Sequence, residues 1–468
     1  MTNLELGNFG QDFLWGTATA SYQIEGAIAE GSRGRSIWDT FSHTPGKVIN
    51  GDTGDVACDH YNRLDEDLEL LADLGVAAYR FSIAWPRIQP DGTGSPNQDG
   101  IDFYSRLVDG LLERNITPVP TIYHWDLPQG LQDKGGWKVR DTSYRFADYA
   151  GIVTEALGDR ITQWITLNEP WCSAWLGYAI GVHAPGEKNI ADAVSATHHL
   201  LLGHGLALQK MRTLTDAQIG ITLNLSVVRP ASQDQADTDV ARLVDGNLNR
   251  IFLDPIFKKS YPADLVEHYG GTIGEATKED LDIIGQKIDF LGVNFYFPST
   301  VVARQNIDKA RSNGLYVDTS NEPNLVDADF GSAGVHRMGV KRTAMDWEIE
   351  AGALTELLVR VHDDYSNLPI MITENGCAAH DYVNPSGEVI DDDRVEYLES
   401  HIQALSNAIA KGVDVSGYFV WSLLDNFEWA YGYSRRFGIV WIDYETQRRI
   451  PKRSFHRYKE IIAATKEA

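Results

Sequence analysis

Short apolar runs rich in β-branched and aromatic residues alternate along this chain with longer segments whose apolar positions recur every three or four residues. The short runs, 13–19, 77–83, 118–123, 161–167, 219–225, 288–295, 369–373 and 417–421, read as strands. The longer segments, 59–74, 101–114, 142–157, 190–211, 238–252, 349–365, 394–411 and 452–465, read as helices. The first of them carries Tyr61, Leu64, Leu68 and Leu71 on one stripe; the second carries Ile101, Tyr104, Leu107, Val108 and Leu111. Asp141 stands where it would cap helix 142–157. Strands that alternate with helices call for a parallel sheet, because each crossover needs its own helix. Eight such units predict an α/β fold, a single-domain (β/α)8 barrel spanning 1–468.

The placement of polar residues favours a barrel over an open sheet. Run after run ends on its C-terminal side in a residue able to do chemistry: Arg80 then Ser82, His124, Asn168 and Glu169, Asn294 with Tyr296, Glu374 with Asn375, and Trp421. Barrel enzymes build their sites at that rim. No G-x-G-x-x-G turn follows the first strand, as an open nucleotide-binding sheet would usually show. The stretches 20–56, 299–345 and 423–450 exceed ordinary connection lengths and are expected to be loops forming site walls and lids.

Composition narrows the partners. The 468 residues include 41 Lys and Arg against 66 Asp and Glu, a formal charge of −25. That balance argues against nucleic acid and against anionic membrane surfaces. Apolar residues at 43% are enough for a large core, so disorder is not expected for most of the chain. Three widely spaced cysteines, Cys58, Cys172 and Cys377, make neither a disulfide framework nor a thiolate zinc site. Without a visible secretory signal or an apolar run long enough to span a bilayer, a cytoplasmic location is expected.

Two carboxylates dominate the candidate chemistry. Glu169 ends an apolar strand with Trp164, Trp171 and Trp175 nearby in sequence, and a carboxyl desolvated among indoles holds its proton more tightly. Glu374 repeats the arrangement, strand then Glu then Asn-Gly, and pairing with a rim cation such as Arg80 would keep it ionised. One acid and one base or nucleophile on separate rim strands are what glycoside hydrolysis requires. Aromatic residues at the same strand ends, interleaved with amides and imidazole, suit a sugar's apolar face and hydroxyl edge.

Other features carry less. Asn321-Glu322-Pro323 repeats the letters of Asn168-Glu169-Pro170 but follows no strand, so it reads as a turn. His198, His199 and His204 do not share one helical face at metal-ligand spacing. The acidic runs 65–67 and 391–393 read as solvated helix faces or helix starts.

The chain resembles the family 1 glycoside hydrolases, the β-glucosidase family, along nearly its whole length. The resemblance rests on six ordered blocks: 13–26, from Phe13-Leu14-Trp15-Gly16 to Gln23-Ile24-Glu25-Gly26; Tyr79-Arg80-Phe81-Ser82; Tyr123-His124-Trp125-Asp126; Thr166-Leu167-Asn168-Glu169-Pro170; Ile372-Thr373-Glu374-Asn375-Gly376; and 421–429, from Trp421-Ser422 to Glu428-Trp429. It implies a retaining double displacement, with Glu169 as acid/base, Glu374 as nucleophile, and the two carboxyls about 5–5.5 Å apart. It further implies that Arg80 and Tyr296 support the nucleophile and that Asn168 binds the sugar 2-hydroxyl. Gln23, His124, Trp421, Glu428 and Trp429 would hold the innermost sugar, with Trp347 also in contact with substrate and Asn294 in support. No cofactor or metal is implied; the partner is a small β-glucoside, and a homo-oligomer is left open. Asn294-Phe295-Tyr296 stands where Tyr-Tyr is common in the last two positions. Glu350-Ala351 stands where Tyr-Pro is common, which bears on the entrance loop.

Two alternatives remain. A 6-phospho-β-glucosidase of the same family would find Arg435 and Arg436 near the sugar, but Glu428 would repel a phosphate dianion. A non-catalytic sugar-binding barrel would typically have lost one of the two carboxylates.

Overall fold

The computed structural model describes residues 4, 6–317, 330–365 and 367–467. Eight strands form the barrel: β1 (Leu14–Ala18), β2 (Ala78–Ser82), β3 (Thr117–Tyr123), β4 (Gln163–Asn168), β5 (Gln218–Asn224), β6 (Phe290–Asn294), β7 (Ile370–Asn375) and β8 (Val415–Trp421). Each pairs in parallel with its neighbours in chain order, and β8 closes the ring on β1, with Leu14 opposite Gly417 and Ala18 opposite Trp421. All eight predicted strands are present to within a few residues. They are legible because both of their faces are buried, which makes near-continuous apolar runs.

The lower lumen is packed with Ala18, Ala78, Val119, Ile165, Phe290, Met371 and Phe419. Glycine makes room for the large rings: a Cβ on Gly16 would lie 2.4 Å from a ring carbon of Phe419. A polar layer sits on this floor, in which Thr222 Oγ1 donates to Thr373 Oγ1 at 3.2 Å and Thr373 Oγ1 to Asn294 Oδ1 at 2.7 Å. The opposite strand faces pack on the surrounding helices in a second, larger core.

Strands β4 and β7 each carry one extra residue near the rim. On β4, Ile165 and Asn168 oppose Gly220 and Thr222 of β5; on β7, Ile372 and Glu374 oppose Val293 and Asn294 of β6. Such bulges re-aim side chains and gather beside active sites.

Several expectations are corrected. Asp141 is the first residue of helix Asp141–Leu157, not its cap, and its carboxylate takes hydrogen bonds from Arg145 one turn on. Helix 238–252 begins earlier, at Gln235, capped by Asp234, and passes through a π-turn at Gly246–Arg250 into Ile251–Lys258. Within 299–345 the chain is not all loop: Ser299–Ala303, Tyr316–Val317 and Ser332–His336 join Val228–Pro230 in a four-stranded accessory sheet with its own small apolar cluster around Val302 and Val335. The acidic runs 65–67 and 391–393 do stand at helix starts, those of Leu64–Leu74 and Asp392–Ala410, but Asp67 and Asp391 are buried, not solvated. Asp67 takes hydrogen bonds from Arg449 and lies 2.7 Å from His60, while Asp391 accepts from Ser454 and Arg394. The turn read at 321–323 lies outside the described residues. No helix among the described residues is long and apolar enough to cross a membrane.

Candidate active site

The rim of the barrel brings Arg80, Asn168, Glu169, Asn294, Tyr296 and Glu374 into contact. Arg80, on β2, is almost fully buried and spends its guanidinium on four partners. Nε donates to Thr121 Oγ1 at 3.1 Å, Nη1 to Glu374 Oε1 at 2.6 Å and to the Thr373 carbonyl at 3.1 Å, and Nη2 to Asn168 Oδ1 at 2.6 Å. The other oxygen of Glu374 accepts from the Tyr296 hydroxyl at 2.5 Å. On the facing side, Asn294 Nδ2 donates both to Asn168 Oδ1 at 3.0 Å and to Glu169 Oε1 at 2.6 Å. The two glutamates therefore belong to one hydrogen-bonded network.

Burial and charge treat the pair differently. Burial raises Glu169, and the neighbouring charge of Glu374 raises it further, to about 8. Burial raises Glu374 too, but the Arg80 charge and the Tyr296 hydroxyl oppose the rise. A single proton shared by the pair thus resides on Glu169 and leaves Glu374 ionised. Glu169 has a backbone φ of +44°, a left-handed value uncommon for a residue with a side chain, and Trp125 and Trp429 at the same rim have +78° and +50°. Clustered strained residues of this kind mark functional sites.

The aromatic wall surrounds His124. Its ring lies 5.9 Å from those of both Trp421 and Trp429, and Trp429 packs on Trp125 at 4.5 Å and on Trp38 at 4.6 Å. Trp38 comes from the insertion 20–56, so that stretch does supply a wall. Burial, with the Arg80 charge, keeps the His124 imidazole neutral, and its Nε2 lies 3.0 Å from Asn168 Nδ2. Trp347, half-buried, packs on Tyr296 at 5.3 Å at the entrance side. Gln23 donates to Asn426 Oδ1 at 3.0 Å and to the Phe427 carbonyl at 2.9 Å. Its Oε1, and Oε2 of buried Glu428, find no hydrogen-bond partner among the described residues. Buried acceptors are rarely left so, and two of them beside an aromatic wall suit a ligand rich in hydroxyl groups.

Some sequence expectations point elsewhere. The Trp171 indole donates to Asn247 at 2.8 Å and Trp175 packs on Tyr269 at 5.2 Å, so both belong to the outer helical layer. Arg436 forms an ion pair with Asp425 at 2.6 Å and lies over the Trp441 ring, which leaves it no role toward a phosphate. His198 and His204 are occupied by Tyr261 and Thr166. Sequence reasoning missed Cys172, whose Sγ lies 3.1 Å from Glu169 Oε2.

The sequence model of glycosyl hydrolase family 1 matches residues 6–467. The chain belongs to this family. Family members similar to it include a protein described as a bifunctional β-D-glucosidase/β-D-fucosidase of Bifidobacterium breve, 48% identical over 97% of this chain and 98% of its own length. The solved family 1 β-glucosidase of Thermotoga maritima in complex with isofagomine lactam superposes with a TM-score of 0.90 at 47% identity, covering 98% of this chain and 99% of its own. The psychrophilic β-glucosidase of Micrococcus antarcticus gives a TM-score of 0.92 at 45% identity, over 99% and 100% of the two chains. Family membership makes the (β/α)8 architecture and a glycoside hydrolase activity properties of this protein.

Proposed function

We propose that this glycoside hydrolase is a retaining β-glucosidase that removes terminal, non-reducing β-D-glucosyl residues from cello-oligosaccharides and aryl β-glucosides. The observation that carries the reading is the joint setting of Glu169 and Glu374, two buried carboxyls in one network, one biased to keep its proton and the other ion-paired. The names of the similar family members, β-glucosidases, support the choice of sugar.

In the first step a Glu374 oxygen bonds to the anomeric carbon as the glycosidic bond breaks, and the departing oxygen takes the Glu169 proton. Esterified Glu374 has lost its charge, so the electrostatic push on Glu169 falls and its proton is released more readily. Ionised Glu169 then takes a proton from water, whose oxygen bonds to the anomeric carbon while the Glu374 ester bond breaks. Asn168, fixed by Arg80, is placed to bind the sugar 2-hydroxyl, a contact that strengthens in the oxocarbenium-like transition state. Gln23 and Glu428 would accept hydrogen bonds from the far hydroxyls, against the Trp421 and Trp429 rings.

A 6-phospho-glucoside would bring a dianion toward the buried Glu428 carboxyl, which repels it wherever Glu428 is ionised. Arg436 is already committed to Asp425, which leaves Arg435, whose charge reaches Glu428, as the cation that would have to favour a phosphate. The test is a panel of p-nitrophenyl glycosides, 6-phosphorylated glucoside and cellobiose, with the first anomer released followed by proton NMR. We expect free glucosides to be preferred and β-glucose to appear first. Initial release of α-glucose, or turnover of the phosphorylated substrate alone, would overturn the reading.

A further inference from the structure

The carboxyl of Glu169 is held from two sides, by Asn294 Nδ2 on Oε1 at 2.6 Å and by Cys172 Sγ on Oε2 at 3.1 Å. The first contact has a direction fixed as far back as Arg80. A guanidinium only donates, so Asn168 must present Oδ1 to Arg80 Nη2. Asn294 meets that same oxygen and Glu169 Oε1, and therefore turns its amide nitrogen to both, while its own Oδ1 accepts from Thr373. Oε1 is thus committed as an acceptor, and the transferable proton of Glu169 belongs on Oε2, beside the thiol.

The local backbone brings Cys172 there. The left-handed turn at Glu169 is followed by a tight first turn, in which the Cys172 amide donates to the Glu169 carbonyl at 2.9 Å and folds the thiol back over the carboxyl. The thiol is buried, which keeps it protonated and makes the S–H the donor.

We propose that Cys172 is a positioning residue for the acid/base, donating its S–H to Oε2 when Glu169 is ionised and yielding that oxygen to the proton when Glu169 is the acid. The thiol rotates and no bond to sulfur breaks; the proton moves only between Oε2 and the glycosidic oxygen or water. This rests on the double-displacement reading and adds a residue that reading does not require. The other groups acting on Glu169 are Glu374 from β7, Asn294 from β6, Arg80 from β2 and Glu428 from the loop after β8.

The experiment compares the parent, Cys172→Ala, Cys172→Ser and Glu169→Gln in pH profiles of kcat/KM on cellobiose. Loss of the donor disfavours ionised Glu169 alone. The alkaline limb should rise by about 0.3–1 pH unit in Cys172→Ala and return to within about 0.2 in Cys172→Ser, whose hydroxyl still donates. A second readout needs no alanine variant: the infrared S–H stretch missing from Cys172→Ser should move to lower frequency as the parent is titrated through Glu169, and should stay fixed in Glu169→Gln. An alkaline limb that Glu169→Gln abolishes but Cys172→Ala leaves in place overturns this inference alone, as does an S–H band indifferent to pH. A parent enzyme with no hydrolytic activity overturns both this inference and the reading it rests on.

Discussion

Arg80 and Asn168 are joined across the second and fourth strands by a 2.6 Å hydrogen bond from Nη2 to the amide oxygen, while the same guanidinium holds Glu374. One cation therefore orients both the proposed nucleophile and the amide proposed to bind the 2-hydroxyl. Arg80→Met should strand a buried carboxylate, with a stability cost of about 3–5 kcal/mol. Arg80→Lys should keep the charge but lose the fork, lowering kcat about 100-fold or more while the melting temperature changes less. Thermal melting and steady-state rates on p-nitrophenyl glucoside check both.

Glu374→Gly should abolish turnover, by about 10⁴-fold or more, because no other group can form the ester. Azide added to this variant should restore turnover of an activated glucoside and yield α-glucosyl azide. Recovery of the β-azide would remove Glu374 as the nucleophile.

Glu169→Ala should discriminate by leaving group. Cellobiose, which needs its departing oxygen protonated, should lose several orders of magnitude in kcat/KM, whereas 2,4-dinitrophenyl glucoside should lose little. Equal losses on the two substrates would place the acid elsewhere. In the parent, kcat/KM should trace a bell whose alkaline limb lies near the value of about 8 to which burial and Glu374 push Glu169. The limb falls with rising pH because the acid form is lost.

Glu428 offers a test by stability. Burial, then the charges of Glu374 and Glu169, raise it from an ordinary 4.5 to about 8. Between those values the folded protein holds a proton that the unfolded chain has released, so this group subtracts stability as pH rises through the window. Glu428→Gln should melt higher than the parent at pH 8, by an amount on the order of 1 kcal/mol or more, and no higher near pH 4. The same variant should raise KM for glucosides. A gain that does not grow with pH would assign the effect to packing.

The barrel was legible because its strands are buried on both faces and end in polar residues, and Arg80, Asn168, Glu169, Asn294 and Glu374 could all be read from that pattern. The pairing of Glu374 with Arg80 was also foreseeable, since a nucleophile at a rim needs a cation. What failed depended on distant partners. Asp67 looked solvated because its cation, Arg449, lies 382 positions away in sequence. Trp171 and Trp175 are close to Glu169 in sequence but are drawn outward by Asn247 and Tyr269. The accessory sheet escaped notice because its strands are short and set among polar residues. Cys172 escaped because its contact needs a left-handed backbone at Glu169, which no local residue preference announces.

The extra residue on β4 and on β7 reaches beyond local geometry. Side chains on a strand alternate between lumen and helix layer, yet here Asn168 and Glu169 both face inward, as do Thr373 and Glu374. Two consecutive inward groups demand a break in parity, and on β7 the inserted residue supplies it. On β4 the inserted residue lies upstream, between Ile165 and Asn168, and the left-handed backbone of Glu169, just past the strand end, turns that carboxyl inward. Catalytic competence in this barrel is thus encoded partly in a count. A single deletion in β7 ahead of Thr373 would preserve every functional side chain in the sequence and still turn the Glu374 carboxylate toward the helices, leaving a vessel for sugars that cuts nothing.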